Sequence, residues 1–128
     1  MQVKIKASQV SQLTAALLQK QGYICPLCKA HFTRDKKTPA LDHDHNTGFV
    51  RDVLCLNCNG MEGRVFNIAT RSKQKLTQTA WLSNLVAYWH RHSEPRHGGI
   101  LHHTHKSPEE KRLLKNAKAR AKRASLKA

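Results

Sequence analysis

Aromatic residues are scarce in this chain: three Phe, two Trp and two Tyr, 5% of 128 residues. With 39% hydrophobic residues at this length, the chain supports one compact domain with appendages. So few large rings leave that domain a modest core, and a two-domain enzyme is excluded. Acidic residues are scarcer still beside basic ones, 8 Asp and Glu against 23 Lys and Arg, a formal net charge of +15. Long apolar runs are lacking too. No stretch approaches the roughly 18 to 20 apolar residues of a membrane span, and Met1 to Lys6 is polar and basic with no apolar segment after it. The expectation is a cytoplasmic protein, neither secreted nor inserted in a membrane. Charge of this density points to a polyanionic partner, most commonly nucleic acid. A ribosomal or purely architectural protein meets the same description.

What is present in an ordered pattern is cysteine. Cys25-Pro26-Leu27-Cys28 and Cys55-Leu56-Asn57-Cys58 each hold two residues between the sulfurs. Such a spacing lets a tight turn aim two thiolates at one metal, and two such turns supply the tetrahedral set of a closed structural zinc site. Two disulfides or a redox pair are the competing readings. A reducing compartment disfavours disulfides, and a redox motif has no reason to occur twice. Cys25, Cys28, Cys55 and Cys58 are therefore the expected zinc ligands, and the metal would stabilise a domain short of core.

Along the chain, Ser8 is expected to cap a helix to about Gln21, with Val10, Leu13, Ala16 and Leu17 on one face and Gly22 as its stop. Arg34 to Pro39 reads as a polar turn. Ala40 to His45 and Phe49 to Leu54 read as two short strands around Asn46-Thr47-Gly48. A short helix is expected from Asn59 to about Asn67, weakened by Gly60 and Gly63. From about Thr77 to His92, Trp81, Leu82, Leu85, Val86 and Trp89 recur at helical spacing, the pattern of a core face or a dimer seam. Ser93 to Lys106 reads as a loop. Ser107-Pro108-Glu109-Glu110 then supplies an N-cap, a proline in the first turn and an acidic start for a basic helix. Lys106 to Ala128 holds nine Lys and Arg against two Glu. Lys111, Arg112, Lys115, Lys118, Arg120, Lys122 and Arg123 are its candidate DNA contacts, a solubilising terminus being the alternative.

Between the knuckles stands Leu41-Asp42-His43-Asp44-His45, and directly after the last cysteine stands Asn59. Cutting a phosphodiester with one divalent ion needs oxygen ligands for a hard cation, a base near neutral pKa for water, and cationic help for the phosphate. Asp42 and Asn59 offer the oxygens. His43 offers the base, since an imidazole is neutral and proton-accepting near physiological pH. Zinc would fix the knuckle from which Asn59 projects, so a structural metal would position a catalytic ligand. A histidine-rich turn beside a structural zinc is the bland alternative. Arg51 and Arg64 are candidate phosphate contacts, although an exposed arginine is usually solvated. The histidines at 90, 92, 97, 102, 103 and 105 form a second group, open to three readings: a second metal site, a phosphate-contacting loop or a plain surface loop.

The ordered combination of Cys-x-x-Cys, Leu41-Asp42-His43-Asp44-His45, Val50-Arg51-Asp52-Val53-Leu54-Cys55-Leu56-Asn57-Cys58-Asn59 and Glu62-Gly63 resembles the phage recombination endonuclease VII family of the His-Me finger (HNH) superfamily. These motifs run from about residue 23 to 66. The resemblance implies a ββα-metal core, zinc on the four cysteines, and magnesium or manganese on Asp42 and Asn59. It implies His43 as general base and His45 as an auxiliary group at the scissile phosphate. It also implies DNA cleavage to 5′-phosphate and 3′-hydroxyl ends and the host-cell cytoplasm for a phage-encoded protein. Branched DNA such as a Holliday junction and a homodimer belong to the family's founder; because no segment outside the core matches the founder's dimerising helix, the motifs carry over the cleavage chemistry and not the branch selectivity. One departure is Asp52, where the family commonly has glycine; its side chain is expected to face solvent.

The expected fold is thus a small α+β zinc-stabilised domain, a ββα-metal core with flanking helices and a basic C-terminal helix. Its expected segments are an N-terminal helical segment 1–22, the nuclease core 23–68, an amphipathic helix 69–92, a histidine-rich loop 93–106 and a basic tail 107–128. The expected function is a magnesium-dependent DNA endonuclease. A nicking or homing-type HNH enzyme is the alternative within that class, and a non-enzymatic zinc-containing nucleic-acid-binding protein is the alternative outside it.

Overall fold

The first helix, α1 (Val10–Lys20), is entered through a 3-10 turn at Ala7–Gln9. Ser8 lies inside that turn and does not cap it; Lys6 stands at the N-cap, where its backbone N–H donates to Gln9 Oε1 at 2.8 Å. The far end closes as expected. Gly22 takes φ +64°, and the N–H groups of Gly22 and Tyr23 return to the carbonyls of Gln19 and Leu18 at 3.1 and 2.9 Å, satisfying carbonyls that the last turn would leave orphaned. The face turned inward is rotated from the expected one. Leu13, Leu17 and Leu18 are half-buried, whereas Val10 and Ala16 are exposed.

The computed structural model describes residues 2–127, which form two compact units, one through Val86 and one from Ala87. In the first unit, β1 (Pro39–His43) and β2 (Val50–Cys55) pair antiparallel, with Pro39 opposite Cys55, Leu41 opposite Val53 and His43 opposite Val50. The register slips between Leu41 and His43, so Asp42 faces both Arg51 and Asp52 in a β-bulge. Asp44, expected as strand, instead builds the turn. Its Oδ1 accepts the N–H groups of Asn46 and Thr47 at 2.8 and 3.0 Å, and Gly48 at φ +79° completes the reversal.

Helix α2 (Leu56–Ser72) follows β2 without a loop. Its N-cap is Cys55, whose Sγ accepts the Cys58 N–H at 3.4 Å, so the helix begins inside the second knuckle, three residues earlier than expected, and runs on through Gly60 and Gly63. The core is small, as the composition implied: Cys25, Phe32, Val53, Leu54 and Cys55 are buried together, with Leu17, Leu18 and Leu41 packed on them. Gln21 ties α1 to the sheet. Its side-chain amide donates to the Val53 carbonyl at 2.9 Å and accepts the Val53 N–H at 2.8 Å, pairing both backbone groups of a fully buried residue.

Helix α3 (Gln78–Arg91) starts where the Thr77 hydroxyl accepts the Ala80 N–H at 3.1 Å. Trp81, Leu82 and Leu85 are half-buried, but the stripe emerges into solvent at Val86 and Trp89, the latter 63% exposed. In the second unit a 3-10 turn at His97–Gly99 interrupts the loop, and α4 (Pro108–Lys127) is capped as expected, Ser107 Oγ accepting the Glu110 N–H at 3.1 Å. No residue of α4 is buried. No helix among the described residues is long and apolar enough to cross a membrane.

Candidate active site

The two knuckles meet. The Sγ atoms of Cys25, Cys28, Cys55 and Cys58 all lie within 4.8 Å of one another, and those of Cys28 and Cys55 are 3.9 Å apart. A tetrahedron with Zn–S bonds of roughly 2.3 Å has edges of about 3.8 Å. The first knuckle is folded by local bonds: Lys29 at φ +64° lets its N–H reach the Cys25 carbonyl at 2.9 Å, while the Cys25 N–H reaches the Ala30 carbonyl at 2.9 Å. Burial opposes ionisation of Cys25, yet the N–H groups of Cys28, Cys55 and Leu27 prevail and lower its thiol to about 6. The Cys58 thiol is pushed up by its contact with Cys55, by burial and by the neighbouring sulfurs. A first thiolate is thus favoured and a further one is resisted, an opposition that a dication relieves by offsetting two of the four negative charges. The donor set fits a closed structural metal site, zinc above all.

Beside it, the bulge aims Arg51 at the acidic residue of β1. Arg51 Nε and Nη2 donate to Asp42 Oδ2 and Oδ1 at 2.6 and 2.9 Å, and Nη2 also reaches Glu62 Oε2 at 3.1 Å. The Asp42 side chain is only 8% exposed, so its charge is one that burial would penalise without this partner. Hydrogen bonding to Asp42 raises the Arg51 guanidinium above its already high range, burial working against this and Glu62 adding to it. Arg51, a candidate phosphate contact by sequence, is the cation on which two carboxylates converge.

Arg51 and Glu62 line a cleft of about 300 Å³ together with Asp44, His45, Asn46, Gly63, Phe66 and Asn67. His45 is therefore in the cleft. His43 lines a separate cavity on the side of the N-terminal segment, with Lys4, Leu13 and Phe49 among its walls, yet its ring lies 4.7 Å from that of His45, centroid to centroid. Asn59 is half-buried in the first turns of α2, three residues before Glu62 and so on the same helix face. Asp44 is occupied by the turn, and the N–H groups of Thr47 and Asn46 hold its carboxyl below the ordinary carboxylate value. Asp52 is exposed, as expected. Arg64 is exposed on α2. On α4, Lys111, Lys115, Lys118, Arg120, Lys122 and Arg123 are exposed, and Arg112 lies 3.9 Å from Glu109. The six histidines beyond residue 89 include ring pairs such as His102–His103 at 4.5 Å, but among the described residues only the four cysteines cluster as a group of three or more His, Cys, Asp and Glu able to hold a metal.

Sequence reasoning gave no role to Glu62 or Gln21. Glu62 stood in the quoted motif, and its helical offset of three from Asn59 is the signal that could have found it. Gln21 carried none, since its contact with Val53 spans 32 positions.

Four thiols that bracket a β-hairpin and lead directly into a helix define a small α+β domain with a donor set able to hold a metal. The family model for recombination endonuclease VII matches residues 1–91. The chain belongs to the recombination endonuclease VII family, and the match reaches well beyond the stretch of 23 to 66 whose motifs carried the resemblance.

Proposed function

We propose that this chain is a zinc-stabilised, divalent-metal-dependent DNA endonuclease whose β1–β2–α2 succession is a ββα-metal core of the His-Me finger type. The observation that carries the reading is the convergence of Asp42 and Glu62 on Arg51, which with Glu62 and His45 lines the cleft, in a chain of this family. Two carboxylates meeting on a guanidinium are a donor set able to accept a hard cation. Asp42 and Asn59 would hold it, and when bound magnesium or manganese supplies charge stabilisation for the phosphate and the departing 3′ oxygen. His43 accepts a proton from water, and the resulting hydroxide attacks phosphorus in line, leaving a 5′-phosphate and a 3′-hydroxyl. His45, in the cleft and in ring contact with His43, orients the phosphate. The four thiolates hold zinc and perform no chemistry; they fix the start of α2 and with it the position of Asn59.

Branched DNA is the proposed substrate, cut by a homodimer with one active site for each strand. The test is cleavage of supercoiled plasmid and of a synthetic four-way junction with Mg²⁺, comparing wild type, His43→Ala, His45→Ala and zinc-stripped protein. Symmetric cutting of the junction, lost with His43→Ala and on zinc removal, supports the reading, and equal use of plasmid indicates a nicking or homing type. Because His45 and not His43 lines the cleft, retained activity in His43→Ala with loss in His45→Ala would exchange their roles. The second reading, a non-enzymatic nucleic-acid-binding protein, draws on α4, a 20-residue helix with every side chain accessible and basic residues throughout. Tight binding of both DNAs without cutting of either would favour it.

A further inference from the structure

The Arg51 guanidinium sits where the proposed divalent ion needs its ligand. It occupies both oxygens of Asp42, at 2.6 and 2.9 Å, and an oxygen of Glu62 at 3.1 Å. A magnesium ion binds a carboxylate oxygen at roughly 2.0 to 2.1 Å, and a dication that close to Asp42 would face the guanidinium across the same two atoms. Two cations at such a separation repel strongly in a partly desolvated site. We propose that Arg51 is a resident counter-ion, holding Asp42 and Glu62 in the free protein and giving way when the divalent ion arrives, so that metal entry and guanidinium departure are one exchange. The inference rests on the reading of Asp42 as a metal ligand.

Three features make the exchange physically accessible. Asp42 is buried, where an ionised carboxylate is costly without a cationic partner, and the guanidinium is the partner the chain carries with it. Arg51 is the more accessible partner: its side chain is 39% exposed against 8% for Asp42, and it lies at the irregularity of the sheet, where two residues of β2 oppose one of β1. The space it would enter is present, since Arg51 already lines the cleft of about 300 Å³ together with Asn46, Asn67 and Glu62. The competing view keeps Arg51 in place as a brace that aligns Asp42 for the metal. The two views give opposite signs for metal affinity when the arginine is removed.

The test measures binding of Mn²⁺ alone to the full, zinc-loaded chain, following the free-ion signal by electron paramagnetic resonance, for wild type, Arg51→Gln, Arg51→Lys and Asp42→Ala. Zinc content and a thermal melt establish that each variant is folded. The exchange predicts that Arg51→Gln binds Mn²⁺ more tightly than wild type by about tenfold, because the competing cation is gone. Arg51→Lys, which keeps the charge and loses the bidentate fork, falls between them and carries the test by itself should the glutamine variant fail to fold. Asp42→Ala binds most weakly. Equal or weaker Mn²⁺ binding by Arg51→Gln, with Asp42→Ala still weakest, overturns the exchange and leaves the metal site standing. Asp42→Ala binding as well as wild type overturns both, because Asp42 would then be no ligand.

Discussion

Residues 1–86 and 87–128 carry nearly equal formal charge, +7 from twelve Lys and Arg against five acids and +8 from eleven against three, yet they are held by different physics. The first unit buries Cys25, Phe32, Val53, Leu54, Cys55 and Ala69, and its decisive contacts join residues about thirty positions apart, such as the Cys55 N–H on Cys25 Sγ at 3.5 Å. The second buries no side chain among the described residues and lives on neighbours: the Ser107 cap, Arg96 Nε on the Arg91 carbonyl at 2.7 Å, Arg91 over the Tyr88 ring at 5.3 Å. In one unit a non-local framework offsets the entropy of ordering, and in the other local helix-forming rules do so alone. Per residue, the positive charge is denser in the unit that has no core to strain.

Zinc removal breaks this comparison most severely. Chelation, or Cys25→Ala, withdraws metal-binding free energy of roughly 10 kcal/mol or more, so amide-exchange protection at Val53 and Leu54 should vanish while exchange across 108–127 stays as it was. Equal loss in α4 would show that the units do not differ in this way. Next in size is deletion of Ser107 to Ala128. DNA affinity should fall and its salt dependence flatten by several units of slope, about 0.9 for each phosphate no longer neutralised, with the melt of the remaining zinc-loaded protein unchanged. An unaltered slope would remove α4 from the nucleic-acid interface. Gln21→Ala should lower the stability of the first unit by about 1 to 3 kcal/mol, read as the urea midpoint of zinc-loaded protein, because both backbone groups of Val53 lose their partner. The smallest effect is Ser107→Ala, removal of a cap worth about 1 kcal/mol, visible as faster exchange at the Glu110 amide and nowhere before residue 87.

The same division governs what could be read from residues alone. Features with local causes were legible: the paired knuckles, a hairpin between them, the Gly22 stop, α3 within a residue of its observed ends and the Ser107 cap of α4. Where α2 begins was not, because thiols are not usual N-caps and Cys55 acts as one only when the second knuckle is folded. Helix α2 runs on past Gly60 and Gly63 against their weak helix propensity. The candidate site divides likewise. Residue types and spacing marked the four cysteines that the fold brings together, but not that Arg51 pairs with Asp42 and Glu62, since those ion pairs span 9 and 11 positions of chain and depend on a bulge.

Cys55 ends β2, caps α2 and contributes a thiol to the four-sulfur cluster, so the rotational phase of α2 is locked to the metal site. One residue inserted between Cys58 and Glu62 would turn Glu62 by about 100° around the helix axis and slide it about 1.5 Å along it, carrying it off Arg51. The exposed loop of residues 100–106 has no such phase to keep. Tolerance to insertion and deletion is therefore confined to one stretch of the molecule and denied to the other, and the count of residues from the last cysteine to Glu62 is as much a part of the site as the side chains themselves.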